Sequence, residues 1–511
     1  MELYNFKSSD QIGALDAESD RFLSDCFLES NVYETLEKFN DSEIDFMKRI
    51  IVGRTGSGKT ALLKMLSNSP TIKKYSIIEA ESTVFEHINN NVFITELAKN
   101  NIDLRVFYKS LWMHVLLIKV IETIYNNDLS FYEKLQTLVM SKQKKYNLDL
   151  ANEYIQNYKD NFFNDRAICE ITENFQNDLK LNFGGEIIGI KSALSNEVVQ
   201  KVQRETAKYV SSELLKKQKE LLKLITEESP NQVQSRIIIS IDDLDKSWLS
   251  NSNIRYDFIN SLLDAFKELI NLKSVKILIS IRTDILMGIY KTNMRQEEKD
   301  RSLIIPVEWK KNELKNILDK RISHLLKHKY ASKTDVHFSD IFNFNVRGML
   351  ADEYIIQRTM MRPRDAIDFV NYCFMQSDGK TRLNEDIVIE AEERYYVSRK
   401  NALKKEWLSQ YKHVDSYIDS ISYIETNEFN IEELPKEDIQ THLVNNLSSN
   451  DEDSEKIAEN IKLLINVWFT IGIVGIKKTD TVIIYSSFDK PNLDISDYNK
   501  TFIIHPLFYR R

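Results

Sequence analysis

Residues 50–60 read IIVGRTGSGKT, and this stretch decides the fold. The apolar run before Gly53 is typical of a buried strand, and the ALLKML that follows Thr60 is typical of a helix. Between them, the chain matches the pattern G-x-x-x-x-G-K-[ST] in full. Three of the chain's 12 glycines fall within this loop, where the backbone therefore needs unusual conformational freedom. The stretch predicts an α/β fold in which a strand, a glycine loop and a helix follow one another.

This loop has the chemistry of a phosphate site. Its glycines allow consecutive backbone N–H groups to converge on an anion, and the helix that follows adds the positive end of its dipole. The lysine is expected to reach the β and γ phosphates of ATP, and the final hydroxyl to ligate Mg²⁺. A chance glycine loop is the alternative, and the flanking strand and helix argue against it. The predicted nucleotide-binding residues are Gly53, Arg54, Thr55, Gly56, Ser57, Gly58, Lys59 and Thr60.

A second apolar run, IIISI at 237–241, ends in acidic residues. Continuous β-branched runs are expected of central parallel strands that are covered on both faces. Asp242 is the predicted Mg²⁺ ligand, and Asp243 is predicted to activate the attacking water. An acidic turn after a buried strand is the alternative, and Asp245 is a third carboxylate whose role stays open.

Three arginines are candidates for sensing the γ-phosphate. Arg282 follows the apolar run KILISI, although pairing with Asp242, Asp245 or Asp284 for structural reasons would also explain its position. Arg362 and Arg364 flank Pro363, a residue that favours the first turn of a helix. They are predicted to act within their own chain, and two surface arginines are the alternative.

Arg295 and Arg301 compete with them, as arginines that would act across an interface between subunits.

The chain is organised in four predicted parts. Residues 1–45 form an N-terminal adaptor segment with a helix expected over AESDRFLSDCFLES, and residues 46–310 form the nucleotide-binding core. Within that core, residues 94–230 are a mainly helical insertion with a hairpin centred on Gly184 and Gly185. Residues 311–384 are a helical lid. Residues 385–511 are a winged-helix-like domain, since LLINVWFTIGIVGIKKTDTVIIYSS indicates a helix, a strand, a turn and a strand.

Bulk properties narrow the function classes. The net charge of −8 argues against a dedicated nucleic-acid-binding protein, although a local basic patch stays possible. Cys26, Cys169 and Cys373 are widely separated, which predicts reduced thiols and a cytoplasmic location. The longest apolar stretches are too short or too polar to span a bilayer, so no membrane contact is expected.

The order of these motifs resembles the STAND/KAP group of P-loop NTPases, relatives of the AAA+ ATPases that are associated with bacterial conflict and anti-phage systems. The glycine loop, the IDDLD strand end, Arg282, the W-x-x-x-x-L helix from Trp309 and RPRD carry the resemblance. It implies a core with an additional strand, ATP-driven switching and self-assembly. The chain departs from the group in its long insertion and in having no recognisable effector domain.

Three functions follow as hypotheses. The first is an ATP-hydrolysing switch that forms a homo-oligomer and controls a separate effector protein. The second is a DNA-binding ATPase that uses the C-terminal domain, which the low content of Lys and Arg in EELPKEDIQTHLVNNL disfavours. The third is a nucleotide-gated scaffold with negligible turnover.

Overall fold

The computed structural model describes residues 4–39, 47–80, 85–125, 148–158, 166–183, 195–228, 236–242, 244, 252–293, 295–447 and 452–510. These residues belong to two compact units. The sheet unit comprises Asn31–Val52 and Leu66–Ile305. The loop unit comprises Met1–Ser30, Gly53–Met65 and Pro306–Arg511.

Helices make up most of the described residues. In chain order they are α1 Leu23–Cys26, α2 Asn31–Glu37, α3 Lys59–Ser67, α4 Glu86–Asn90, α5 Val92–Lys99, α6 Arg105–Tyr125, α7 Leu148–Asn157, α8 Arg166–Phe183, α9 Asn196–Tyr209, α10 Lys216–Glu228, α11 Ser252–Leu269, α12 Thr283–Asn293, α13 Glu297–Arg301, α14 Lys311–Tyr330, α15 Phe338–Ile341, α16 Ala351–Arg358, α17 Pro363–Gln376, α18 Glu385–Trp407, α19 Val414–Asp419, α20 Lys436–Asn446, α21 Glu452–Glu459 and α22 Ile461–Ile471. A π-helical segment, Val210–Leu215, joins α9 to α10. In the described part of the chain, no helix has both the length and the apolar composition to span a bilayer.

A five-stranded parallel sheet forms the centre of the sheet unit. Its strands are β1 Ile50–Gly53, β2 Lys74–Glu79, β3 Ile237–Asp242, β4 Val275–Arg282 and β5 Ile304–Pro306, in the order β2-β3-β4-β1-β5. Every residue of β3 and β4 is buried except the last of each, as expected of strands that are covered on both faces. The predicted α/β fold with a parallel sheet is therefore confirmed.

The strand order places polar strand ends together. Strand β4 lies between β1, which leads into the glycine loop, and β3, which ends at Asp242. Because the strands are parallel, their carboxyl ends lie at the same edge of the sheet. Asp242 and Arg282 are the last residues of the neighbouring strands β3 and β4, so both lie at that edge.

The described part of the insertion is helical, as predicted, and this includes residues that were expected to begin a hairpin. Helix α8 continues to Phe183, so the expected first strand from Leu179 is helical. Ile168, Ile171, Phe175 and Leu179 are all buried, and this helical spacing outweighs the short β-like pattern. Gly184 and Gly185, the predicted turn, lie outside the described residues.

The loop unit contains α14 to α22, a short hairpin and a small antiparallel sheet. The hairpin strands are β6 Asn345–Val346 and β7 Met349–Leu350. The sheet contains β8 Glu428–Phe429, β9 Val474–Lys477, β10 Ile483–Ile484 and β11 Phe502–Ile504, in the order β10-β9-β11-β8. Helix α22, β9 and β10 follow one another as the sequence predicted. Its described residues also form 3-10 helices at Ser420–Tyr423, Ile431–Glu433 and Ile495–Asn499.

The stretch AESDRFLSDCFLES is less helical than expected. The helix in it is confined to α1, and the chain before α1 is held by hydrogen bonds to distant residues. The N–H of Phe6 donates to Lys380 O, at 3.0 Å, and the Arg321 guanidinium pairs with Asp20, at 2.6 Å. These contacts satisfy backbone groups and charges of a segment made of turns and bends, so a long amphipathic helix is not needed there.

Candidate functional site

The glycine loop has the backbone that the sequence predicts. Strand β1 ends at Gly53 and α3 begins at Lys59. Gly56 and Gly58 have φ of +80° and +94°, in the left-handed region that favours glycine. A Cβ at Gly56 would also lie 2.9 Å from Cβ of Arg364. Position 56 therefore requires glycine both for its backbone conformation and for the close approach of another side chain.

Three consecutive carbonyl groups of the loop accept hydrogen bonds from the C-terminal part of the loop unit. Arg362 Nη1 donates to Thr55 O at 2.8 Å, the N–H of Arg364 donates to Gly56 O at 3.3 Å, and Trp309 Nε1 donates to Ser57 O at 2.7 Å. The acceptor side of the loop is therefore engaged by protein. In turns of this kind the backbone N–H groups can form an anion-binding concavity, and phosphate binding at this loop stays a prediction.

The side chain of Lys59, the lysine of the motif, contacts the backbone of the loop. Lys59 Nζ donates to Gly53 O at 3.0 Å and to Arg54 O at 3.2 Å. Lys59 and Thr60 are the first residues of α3, where backbone N–H groups have no acceptor within the helix and the helix dipole is positive. The ammonium group, the helix end and the loop N–H groups thus belong to one short stretch of chain.

A buried ionic cluster adjoins the loop. Arg54 Nε lies 3.3 Å from Glu406 Oε1, and Arg362 Nη1 lies 3.0 Å from Glu406 Oε2. The side chains of Arg362 and Glu406 are only 3% and 1% exposed. Arg54 also lies over the ring of Trp407, 5.5 Å from its centroid. One carboxylate therefore serves two guanidinium groups.

The charges of this cluster do not balance. Burial, together with the neighbouring charge of Arg362, lowers the pKa of Arg54 to about 10, despite the opposing effect of Glu406. Arg399 and Asp365 form a second, internally neutral pair nearby. Arg362 Nε and Nη2 are buried and have no hydrogen-bond partner among the described residues. A buried guanidinium with unpaired N–H groups and an excess positive charge suits an anion.

The structure brings both predicted lid arginines to the glycine loop. Helix α17 begins at Pro363, as predicted, with Arg362 as its N-cap residue. The aliphatic part of Arg364 packs on Gly56, and its Nε donates to Leu15 O at 2.9 Å. Burial lowers the pKa of Arg364. Arg362 and Arg364 are thus not a pair of free surface arginines, and their contact with the nucleotide stays a prediction.

The other predicted residues belong to the sheet unit. Asp242 is partly buried at the end of β3, whereas Asp243 and Asp245 lie outside the described residues. Arg282 forms two hydrogen bonds of 2.8 Å with the carboxylate of Asp284, which is one of the structural pairings considered from the sequence. Its role as a sensor stays a prediction.

The two arginines proposed to act across an interface differ in exposure. Arg295 is buried and contacts both Asp264, at 2.7 Å, and Asp300, at 2.5 Å. Arg301 has a side chain that is 65% exposed, and it lies 3.4 Å from Glu297. Of the two, Arg301 is the one that a neighbouring molecule could reach.

Sequence reasoning missed two residues of the site. Glu406 follows two lysines in KKEW and has the pattern of a solvated helix face, although it is buried. Trp309 was part of the resemblance, but its hydrogen bond to the loop was not foreseen. A tryptophan just before a helix offers an indole N–H that usually finds a partner when buried, and this was the available signal.

Comparison with known proteins bears on the helical region alone. A family model described as a FunZ-associated C-terminal helical domain matches residues 312–404. This range runs from α14 into α18, so it includes Arg362 and Arg364 and ends before Glu406. No curated protein matches the chain. The chain is therefore similar to that domain over less than a fifth of its length.

Proposed function

We propose that this protein binds Mg²⁺–ATP at Gly53–Thr60 and hydrolyses it as a molecular switch. The observation that carries the proposal is the glycine loop itself. Two of its glycines have left-handed φ, three of its carbonyls are held by other residues, and the unpaired N–H groups of Arg362 lie in the adjoining cluster. This combination favours a phosphate anion over a neutral ligand.

Each part of the site has a proposed role. The bound nucleotide supplies the phosphoanhydride bond, and Mg²⁺ supplies charge that offsets the phosphates. The loop N–H groups would hold the phosphates, and Lys59 would supply a positive charge to the phosphate oxygens. Thr60 and Asp242 are the proposed Mg²⁺ ligands, because Mg²⁺ prefers oxygen ligands. Asp243 is proposed to orient the attacking water and to accept its proton.

The arginines are proposed to report the phosphate state. Arg362 and Arg364 would neutralise negative charge on the terminal phosphate, and Arg282 is a further candidate for this role. Because α17 starts at Pro363, the directions in which Arg362 and Arg364 project are restricted. These two residues are therefore the preferred in-cis sensors.

The biological role is inferred from the resemblance to STAND/KAP NTPases. The position of β4 between β1 and β3 supports the additional-strand core that the resemblance implies. Residues 311–384 are proposed to act as a lid and residues 385–511 as a winged-helix-like domain. We infer a self-assembling switch that regulates a separate effector protein, in bacterial anti-phage defence.

Substitution of Lys59 tests nucleotide binding. We expect Lys59→Ala to weaken ATP affinity by about 10-fold or more, since hydrogen bonds to charged groups contribute about 1.5–3 kcal/mol. Lys64→Ala is the matched control, because Lys64 lies on the same helix and donates to Ala17 O and Glu18 O. Isothermal titration with Mg²⁺–ATP measures both. A folded Lys59→Ala protein with wild-type ATP affinity would overturn the proposal.

Turnover is tested separately at the acidic residues. Asp243→Asn should lower hydrolysis by about 10²-fold and retain ATP binding, the scale expected for loss of a positioned base. Asp242→Asn should instead weaken binding in a Mg²⁺-dependent way. Normal hydrolysis by Asp243→Asn together with an inactive Asp245→Asn would show that the wrong carboxylate had been assigned. Binding without measurable turnover in the wild type would favour the scaffold hypothesis.

A further inference from the structure

Glu406 connects the glycine loop to the C-terminal region. It is the penultimate residue of α18, and its two carboxylate oxygens are divided between Arg54 and Arg362. Arg54 is itself a loop residue, and Arg362 donates to the loop carbonyl of Thr55. The position of one buried carboxylate is thus linked to the loop at two points.

The second helix end in this contact belongs to α22. Arg54 Nη2 donates to Ile471 O at 2.7 Å, at the carboxyl end of α22, where the helix dipole is negative. Gly472 follows with φ of +88°, and a Cβ there would lie 2.7 Å from Arg54 Nη1. Glycine at this position both ends the helix and leaves room for the guanidinium. A residue of the phosphate loop is therefore held by the ends of two helices, α18 and α22.

We propose that Glu406 is a positioning residue that couples the glycine loop to α18 and α22. It holds Arg54 and Arg362 so that the loop keeps the backbone required for phosphate, and it makes phosphate affinity depend on the arrangement of these two helices. The part that concerns nucleotide rests on the proposed function. The coupling is reciprocal. A phosphate anion that contacts Arg362 therefore also changes the contact between Arg362 and Glu406, and through Glu406 the contact with Arg54.

The electrostatics explain why the coupling acts in both directions. Arg362 presents unpaired Nε and Nη2 groups while its Nη1 is shared by Thr55 O and Glu406. An anion on the unpaired groups binds the guanidinium that the contact between Nη1 and Glu406 holds in place. Each contact therefore depends on the position that the other gives to Arg362. Movement of α18 or α22 would likewise change the distances from Arg54 to Glu406 and to Ile471 O.

The first test is Glu406→Gln, which keeps the shape and removes the charge. We expect affinity for ATP to fall about 5-fold or more, the lower end of typical coupling between sites. Hydrogen exchange without nucleotide should rise in peptides that cover residues 53–58 and 461–472. Glu393→Gln is the matched control, since Glu393 lies on the same helix with an exposed side chain that pairs with Arg510. It should change neither quantity.

A second variant keeps the proposal testable if Glu406→Gln does not fold. Arg54→Lys retains the charge but cannot contact Glu406 and Ile471 O together with a planar fork. It should reproduce the loss of ATP affinity and the faster exchange. In the double variant the two effects should be clearly less than additive, because both remove one contact.

The outcomes separate this inference from the proposed function. If the wild type does not bind ATP, the proposed function is wrong, and exchange of residues 53–58 alone decides the inference. Unchanged exchange in Glu406→Gln and Arg54→Lys would overturn the coupling. Tighter ATP binding by Glu406→Gln would also overturn it, because Glu406 would then act only by repelling the anion.

Discussion

Replacing Trp309 with phenylalanine removes one hydrogen bond from the back of the glycine loop. Trp309 Nε1 donates to Ser57 O at 2.7 Å, and its ring carbon Cζ2 lies 3.8 Å from where a Cβ at Gly58 would be. Phenylalanine keeps an aromatic ring at this position and has no donor. The substitution therefore tests whether a fixed loop carbonyl contributes to phosphate binding.

The expected magnitude follows from the geometry. Loss of the hydrogen bond costs about 1 kcal/mol, and an unpaired buried carbonyl costs up to about 3 kcal/mol. Trp309 is partly buried and Ser57 is buried, so the cost lies in the range of about 1–3 kcal/mol. If the whole cost falls on the loop conformation that binds phosphate, ATP affinity decreases about 5- to 140-fold.

Trp112→Phe is the matched control for this experiment. Trp112 Nε1 donates to Phe258 O at 3.2 Å, so the same type of bond is lost at a fully buried tryptophan of the sheet unit. Urea unfolding should show that both variants are destabilised. Titration with Mg²⁺–ATP should show weaker binding for Trp309→Phe alone. Equal ATP affinities in the two variants would refute the reasoning.

Three further predictions concern separate features. Gly472→Ala should destabilise the protein by about 1–2 kcal/mol more than Gly348→Ala in urea unfolding, because both have positive φ but only Gly472 faces Arg54. Burial lowers the pKa of His505 from 6.5 to about 4. As the pH decreases from 6.5 towards 4, the unfolded chain is therefore protonated at this residue before the folded protein is, and the free energy of unfolding falls. Between pH 7 and 5, the decrease in the free energy of unfolding should be about 2 kcal/mol smaller in His505→Gln than in the wild type. The same decrease in both proteins would contradict the lowered pKa of His505. Mixing inactive Lys59→Ala and Arg364→Ala proteins should restore no ATPase activity if the arginine acts in cis, whereas recovery would place it across an interface.

The sheet could be predicted from sequence because its signals are local. Strands β3 and β4 are continuous β-branched runs, and burial on both faces leaves few other places for such segments. The glycine loop could be predicted for the same reason, since its motif consists of residues that are adjacent in the chain. The start of α17 at Pro363 could also be predicted from local sequence, because proline favours the first turn of a helix.

Local signals misled where they were short or where distant contacts competed with them. The pattern from Leu179 to Phe183 permits a strand, but four buried residues at helical spacing extend α8 through it. The stretch AESDRFLSDCFLES has an amphipathic pattern around Phe22, yet within it only Leu23–Cys26 is helical. There, hydrogen bonds from residues more than 300 positions away satisfy the backbone. Such partners leave no periodic trace in the sequence that they stabilise.

Arg54 shows why the site could be only half predicted. The fixed positions of the motif are explained by the proposed phosphate ligand, because glycine and lysine at fixed spacing would meet it through backbone and charge. Arg54 occupies a position that the motif leaves free, and its sequence neighbours do not indicate a partner. Its partners are 352 and 417 residues away, at the ends of α18 and α22. A position that the motif leaves variable can hold a residue that makes contacts specific to this chain. Arg54 holds such a position, and through it the loop contacts the C-terminal region.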